Sequence, residues 1–148
     1  MNNIFHMDKN NIIDIDKIKE ILINYPVDFA YLYGSYAEGT NRSWSDLDIA
    51  LLVDDSVDVS GYLEVELEIS KKIDAVISPP ESDVRIFNIA PLNYKIQVVQ
   101  NGKLIYSKDE SKRVNFETSV RSLYFDFLPQ KQEYRSALFK GIKEGGLL

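Results

Sequence analysis

Two β-rich runs, VDFAYLY at 27–33 and DLDIALLV at 46–53, are joined by a polar loop. The first run ends at Gly34-Ser35, ten residues follow, and the second run begins at Asp46-Leu47-Asp48. This spacing constrains the fold more than any other feature of the chain. An extended backbone has a period of two, so a strand that starts here turns the Asp46 and Asp48 carboxylates to one face. Ile49 to Val53 then anchor the pair on a rigid element. Like charges set side by side on a sheet destabilise it unless a cation lies between them. Alone, an Asp-x-Asp pair in an acidic chain reads more simply as a solvated loop, and a Gly-Ser after a strand as a turn. Joined at this spacing, with a strand before and a strand after, the set is far more specific.

Composition narrows what such a pair can hold. The chain has no cysteine and a single histidine, His6, for which no role is expected. Any metal must therefore be held by oxygen ligands, which points to hard ions, magnesium or else manganese. The formal net charge of −6 argues against an extended nucleic-acid surface, which needs a basic stripe. It does not argue against one nucleotide, whose bound metal offsets nearby carboxylates. No run of about 18 apolar residues is present, and Met1 to Asn11 lack a signal-peptide core, so the expected location is the cytoplasm. The 148 residues, 45% of them hydrophobic, suit one domain over 1–148, its core at about 12–106 and a helical segment at about 109–144.

Along the chain, Ile12, Ile15, Ile18, Ile21 and Leu22 recur at helical spacing, with Asp14 or Asp16 placed for the helix N-terminus. Pro26 ends that pattern and the run 27–33 follows as a strand. The spacing predicts a helix from Gly61 to Ile77 whose last residues read equally as a strand start, then a turn at Pro79-Pro80. Val84 to Ile89 reads as a third strand, Leu92 to Val99 as a short helix and Gly102 to Tyr106 as a closing strand. From Asp109 onward two helices are predicted, split near Pro129. The sum is an α/β (α+β) fold, a small mixed β-sheet flanked by helices.

The residue types around the pair suit phosphoryl or nucleotidyl transfer. Gly34 lets a ligand approach the backbone, and Ser35 offers an N–H and a hydroxyl to a phosphate. Arg42 is placed to neutralise a triphosphate. Thr40 and Ser45 either bond phosphate or only cap the loop. Trp44 either stacks on a base or, more simply, anchors the loop on the domain. In such chemistry metal ions orient the attacking oxygen and offset charge on the leaving group. Two carboxylates seldom suffice, so a third is expected from another strand. Asp83 is the best candidate and Asp74 the reserve.

The segment GSYAEGTNRSWSDLDIALLV at 34–53 resembles the signature of the DNA polymerase β-type nucleotidyltransferase superfamily. Within it the chain is most similar to the MntA family, adenylyltransferase antitoxins paired with HepT-type HEPN ribonuclease toxins. The stretch DVRIFNIAPLNYKIQVVQNGKLIY at 83–106 and the aromatic-rich helices from Arg113 to Phe139 carry the narrower resemblance, which is weakest before residue 25. It implies that Asp46 and Asp48 bind magnesium, that Gly34 and Ser35 contact the phosphates of ATP, and that AMP passes to a tyrosine of the toxin. The family's third carboxylate falls on Asp83 when the Asn88-Ile89-Ala90-Pro91 turn sets the register. The chain departs from the pattern just after it, with Ile86 where another acid is expected and Arg85 where an apolar residue is usual.

Phe116, Val120, Leu123, Tyr124 and Phe127 follow helical spacing, and Leu138 and Phe139 add apolar surface beyond Pro129. Core packing accounts for most of them, with part left for a partner interface. Two other functions compete with the antitoxin reading. One is transfer to a small molecule such as an aminoglycoside, for which the chain is short. The other is neutralisation of a toxin by binding alone, which does not require clustered acids.

Overall fold

The computed structural model describes residues 4–8, 11–42, 44–77 and 80–145. An N-terminal hairpin, β1 (Ile4–Asp8) and β2 (Asn11–Asp14), leads into α1 (Ile15–Leu22). Ile12 therefore belongs to a strand rather than to the predicted helix. The helix starts later because the Asp14 side chain accepts hydrogen bonds from the backbone N–H groups of Asp16 and Lys17, a capping arrangement that satisfies otherwise orphaned donors.

A four-stranded sheet forms the centre, with β3 (Val27–Tyr33), β4 (Leu47–Val53), β5 (Ser82–Ile86) and β6 (Lys103–Ser107) in the order β5-β4-β3-β6. β3 is antiparallel to both of its neighbours, while β4 and β5 run parallel. Parallel neighbours need a crossover. Here it is α3 (Tyr62–Ile77), entered through a 3-10 turn at Val59–Gly61 and helical throughout, so its last residues start no strand.

Side chains alternate across the sheet. Ala30, Leu32, Leu47, Ile49, Leu51, Val53 and Val84 pack on one face against Ile15, Ile18 and Leu22 of α1 and Ile69 and Ile73 of α3. Phe29, Tyr31 and Ala50 face the other way, onto Phe87 and onto Val98 of α4 (Leu92–Asn101). Phe116 joins them from α5 (Glu110–Gly145), its ring centroid 5.3 Å from that of Phe29 and 5.4 Å from that of Phe87. α5 is also tied to β3 by polar contacts. Lys112 Nζ stands 3.3 Å from the buried Asp28 carboxylate, and the Tyr31 hydroxyl donates to Glu117, which Arg113 holds from 3.1 Å.

Two further predicted boundaries move. The third strand ends at Ile86, not Ile89, because Asn88 continues the pairing with its side chain. Its amide accepts from Val53 N–H at 2.9 Å and donates to Val53 C=O at 2.8 Å while the backbone turns away. The C-terminal region is one helix through Pro129 rather than two. A proline removes one helical hydrogen bond and crowds the preceding turn. Both Pro129 and Phe125, one turn earlier, are exposed, so the helix carries the proline where it crowds no packed neighbour. No described helix is long and apolar enough to cross a membrane.

Candidate active site

The acids gather at one end of the aromatic face of the sheet. Asp48 lies between Leu47 and Ile49, both turned to the α1/α3 face, so its carboxylate is turned to the opposite one. In register it pairs with Tyr33 on β3 and with Asp83 on β5. Directly paired residues on neighbouring strands share a face, and adjacent strands run only about 4.8 Å apart. Asp46 sits one residue ahead of β4, exposed rather than inside the strand, yet its charge still bears on Asp48.

Burial, then the charge of Asp83, then that of Asp46 push the Asp48 carboxyl up to about 6, and Arg85 partly offsets this. Negative charge is thus concentrated here, with Arg85 as a partial counterweight. The oxygen-only donor set of Asp46, Asp48 and Asp83 fits a hard divalent cation in chemistry. Among the described residues no three acidic or histidine side chains already stand close enough to enclose an ion. Asp83 is instead engaged with Arg85, whose Nε lies 3.3 Å from its carboxylate.

Gly34 is required by geometry. Its φ of +72° and ψ of −154° fall in a region open almost only to glycine, and a Cβ there would lie 2.3 Å from Asp48 Oδ2. The loop backbone is therefore pressed onto the acid. Ser35 follows as the first residue of the one-turn helix α2 (Ser35–Glu38), half-buried beside that contact.

The remaining candidates are less tightly drawn in. Ser45 Oγ accepts from the Arg42 N–H at 2.8 Å, and Ser45 N–H donates back to the Arg42 carbonyl at 3.0 Å, a local turn that matches the capping role. The Arg42 guanidinium lies over the Trp44 ring, 5.8 Å from its centroid. Trp44 is 76% exposed, so it does not anchor the loop on the domain. Thr40 is exposed and ties its backbone N–H to the Ser35 carbonyl. Asp74 accepts from Ser82 N–H at 2.7 Å, pinning the start of β5 from the α3 side. The structure brings Asp83, not Asp74, to Asp48.

Two tyrosines beside the acids escaped the sequence reading. Tyr94 of α4 donates its hydroxyl to that of Tyr33 at 2.7 Å, and burial raises the pKa of both. Asp48 and Asp83 add to the shift in each. The position of Tyr33, immediately before Gly34 and in phase with Tyr31, was the available signal. For Tyr94 there was none, since only the docking of α4 brings it there. Two clefts flank this edge. One, of about 330 Å³, includes Leu63, Glu66, Leu67 and Asp83 in its lining; the other, of about 230 Å³, is lined by Ile86, Ala90, Pro91 and Tyr94; Arg85 borders both.

A small mixed sheet that presents paired acids from β4 and β5, against a glycine turn leaving β3, is an architecture for metal-assisted transfer to or from a phosphate. The chain belongs to the polymerase beta nucleotidyltransferase family, whose model matches residues 16–111. It is 29% identical over 117 residues to a candidate protein adenylyltransferase of Methanocaldococcus jannaschii, covering 79% of this chain and 83% of that one. To the protein adenylyltransferase MntA of Shewanella oneidensis it is 28% identical over 118 residues, covering 78% and 79%. A toxin–antitoxin structure solved with AMP-PNP superposes on 86% of this chain and 99% of the other, with 25% identity and a TM-score of 0.65. The chain is a nucleotidyltransferase.

Proposed function

We propose that this nucleotidyltransferase is an antitoxin that transfers AMP from ATP to a tyrosine of a cognate HEPN-type ribonuclease toxin, silencing it. The observation that carries the chemistry is the direct pairing of Asp48 with Asp83, with Gly34 pressed onto Asp48. The likeness to protein adenylyltransferases and to a toxin–antitoxin complex supports the choice of nucleotide and partner.

In this reading Asp46, Asp48 and Asp83 hold the divalent ion, magnesium or else manganese. When bound, it supplies positive charge against the triphosphate and the departing pyrophosphate. Gly34 brings the backbone to the nucleotide, and Ser35 directs its N–H and hydroxyl at the phosphates. Arg42 balances the triphosphate charge from the loop, and Ser45 holds that loop in its turn. The tyrosine oxygen attacks the α-phosphorus as the bond to the pyrophosphate oxygen breaks. A phenol has a pKa of about 10, so its proton needs an acceptor, which a carboxylate of the cluster provides. The proposed site of action is the cytoplasm, with neither nucleic acid nor membrane as direct partner.

The test is to incubate the chain with ATP, magnesium and the product of the adjacent gene, then map modified peptides by mass spectrometry. AMP on a tyrosine of the neighbour, with matching pyrophosphate release, is the expected outcome. Modification of aminoglycosides instead, with the neighbour unmodified, overturns this reading.

A further inference from the structure

Arg85 is a cation placed among the acids. Its Nε stands 3.3 and 3.4 Å from the two oxygens of Asp83. The two residues are i and i+2 on β5, an edge strand, so both side chains leave the same face. The contact is free to open. The Arg85 side chain is 62% exposed and that of Asp83 37%, and Arg85 borders both clefts at this edge, which gives the guanidinium room to swing away.

An ion that takes Asp83 as a ligand needs the oxygens that Arg85 already engages. We propose that Arg85 is a resident counterion of Asp83 that a divalent cation must displace, so that this arginine weakens metal loading of the nucleotide-free site. It acts through Asp83 and is a positioning residue, not a catalytic one. The proposal rests on the reading of Asp83 as the third metal ligand.

The test is a Mn2+ titration of the full chain without nucleotide, following free Mn2+ by electron paramagnetic resonance. Wild type is compared with Arg85→Leu, Arg85→Gln and Asp83→Asn, each checked for an intact thermal transition. Losing one partly screened positive charge is expected to tighten Mn2+ binding about threefold to tenfold in both Arg85 variants, while Asp83→Asn weakens it. Unchanged or weaker binding in both Arg85 variants, with Asp83→Asn still weakened, overturns this inference and leaves the proposed site standing. Unchanged binding in Asp83→Asn overturns the reading of Asp83 as a ligand, and the inference with it.

Discussion

Gly34 and Asp48 are in such close contact that a single methyl group on the glycine would stand 2.3 Å from the carboxylate Oδ2. The loop that leaves β3 is therefore fitted closely to the acid on β4, with no room for a side chain between them. Gly34→Ala is expected to cost about 1–3 kcal/mol from the strained backbone alone. It should also slow nucleotidyl transfer about a hundredfold, because the acid is pushed out of place. Thermal melts and pyrophosphate release check the two effects separately.

Asp48 opposes Asp83 directly, so removing one charge relieves repulsion in the metal-free protein. The folded-state pKa of Asp48, about 6, lies above the ordinary carboxylate value. Its contribution is thus fully present below the ordinary value and lost as pH rises through about 6. Asp48→Asn should abolish transfer yet stabilise the metal-free protein at neutral pH by about 1 kcal/mol, allowing for solvent screening. Added magnesium should stabilise wild type at neutral pH and leave the variant nearly unchanged. Melting curves at acid and neutral pH, with and without magnesium, read both.

Phe87 is fully buried, with ring centroids 6.1 Å from Tyr31, 6.4 Å from Tyr94 and 5.4 Å from Phe116. It joins the sheet to α4 and α5. Phe87→Ala should destabilise the fold by about 3–5 kcal/mol. Tyr94, which hydrogen-bonds Tyr33 beside the acids, should loosen with it and lower the transfer rate. Urea unfolding and initial rates at a temperature where the variant stays folded provide the check.

The parts legible in the sequence are those set by local rules. The run 27–33 is apolar enough to be a central strand, and a second one opens beside it at Leu47-Asp48, with Asp46 one residue ahead of it. Asp83 stands out as the acid that opens a predicted strand, and the Asn88-Ile89-Ala90-Pro91 turn sets the same register. Its pairing with Asp48, however, depends on a parallel crossover that no local pattern states. Three features stayed hidden because they depend on tertiary contacts. Asn88 replaces backbone pairing with its side chain, Tyr94 arrives with α4, and α5 continues through Pro129 on an exposed stretch. The expected anchoring of the loop by Trp44 does not hold, for the opposite reason. An aromatic in a loop usually packs inward, but here it lies outside with Arg42 across its face.

The most direct test of the central claim compares wild type with the Asp46→Asn, Asp48→Asn double variant on the cognate toxin, in ATP and magnesium. Tyrosine-linked AMP and residual ribonuclease activity are measured on the same samples. The proposed chemistry predicts AMP on the toxin and loss of its ribonuclease activity with wild type, and neither with the double variant. Full neutralisation by the double variant, with no AMP on the toxin, would contradict it.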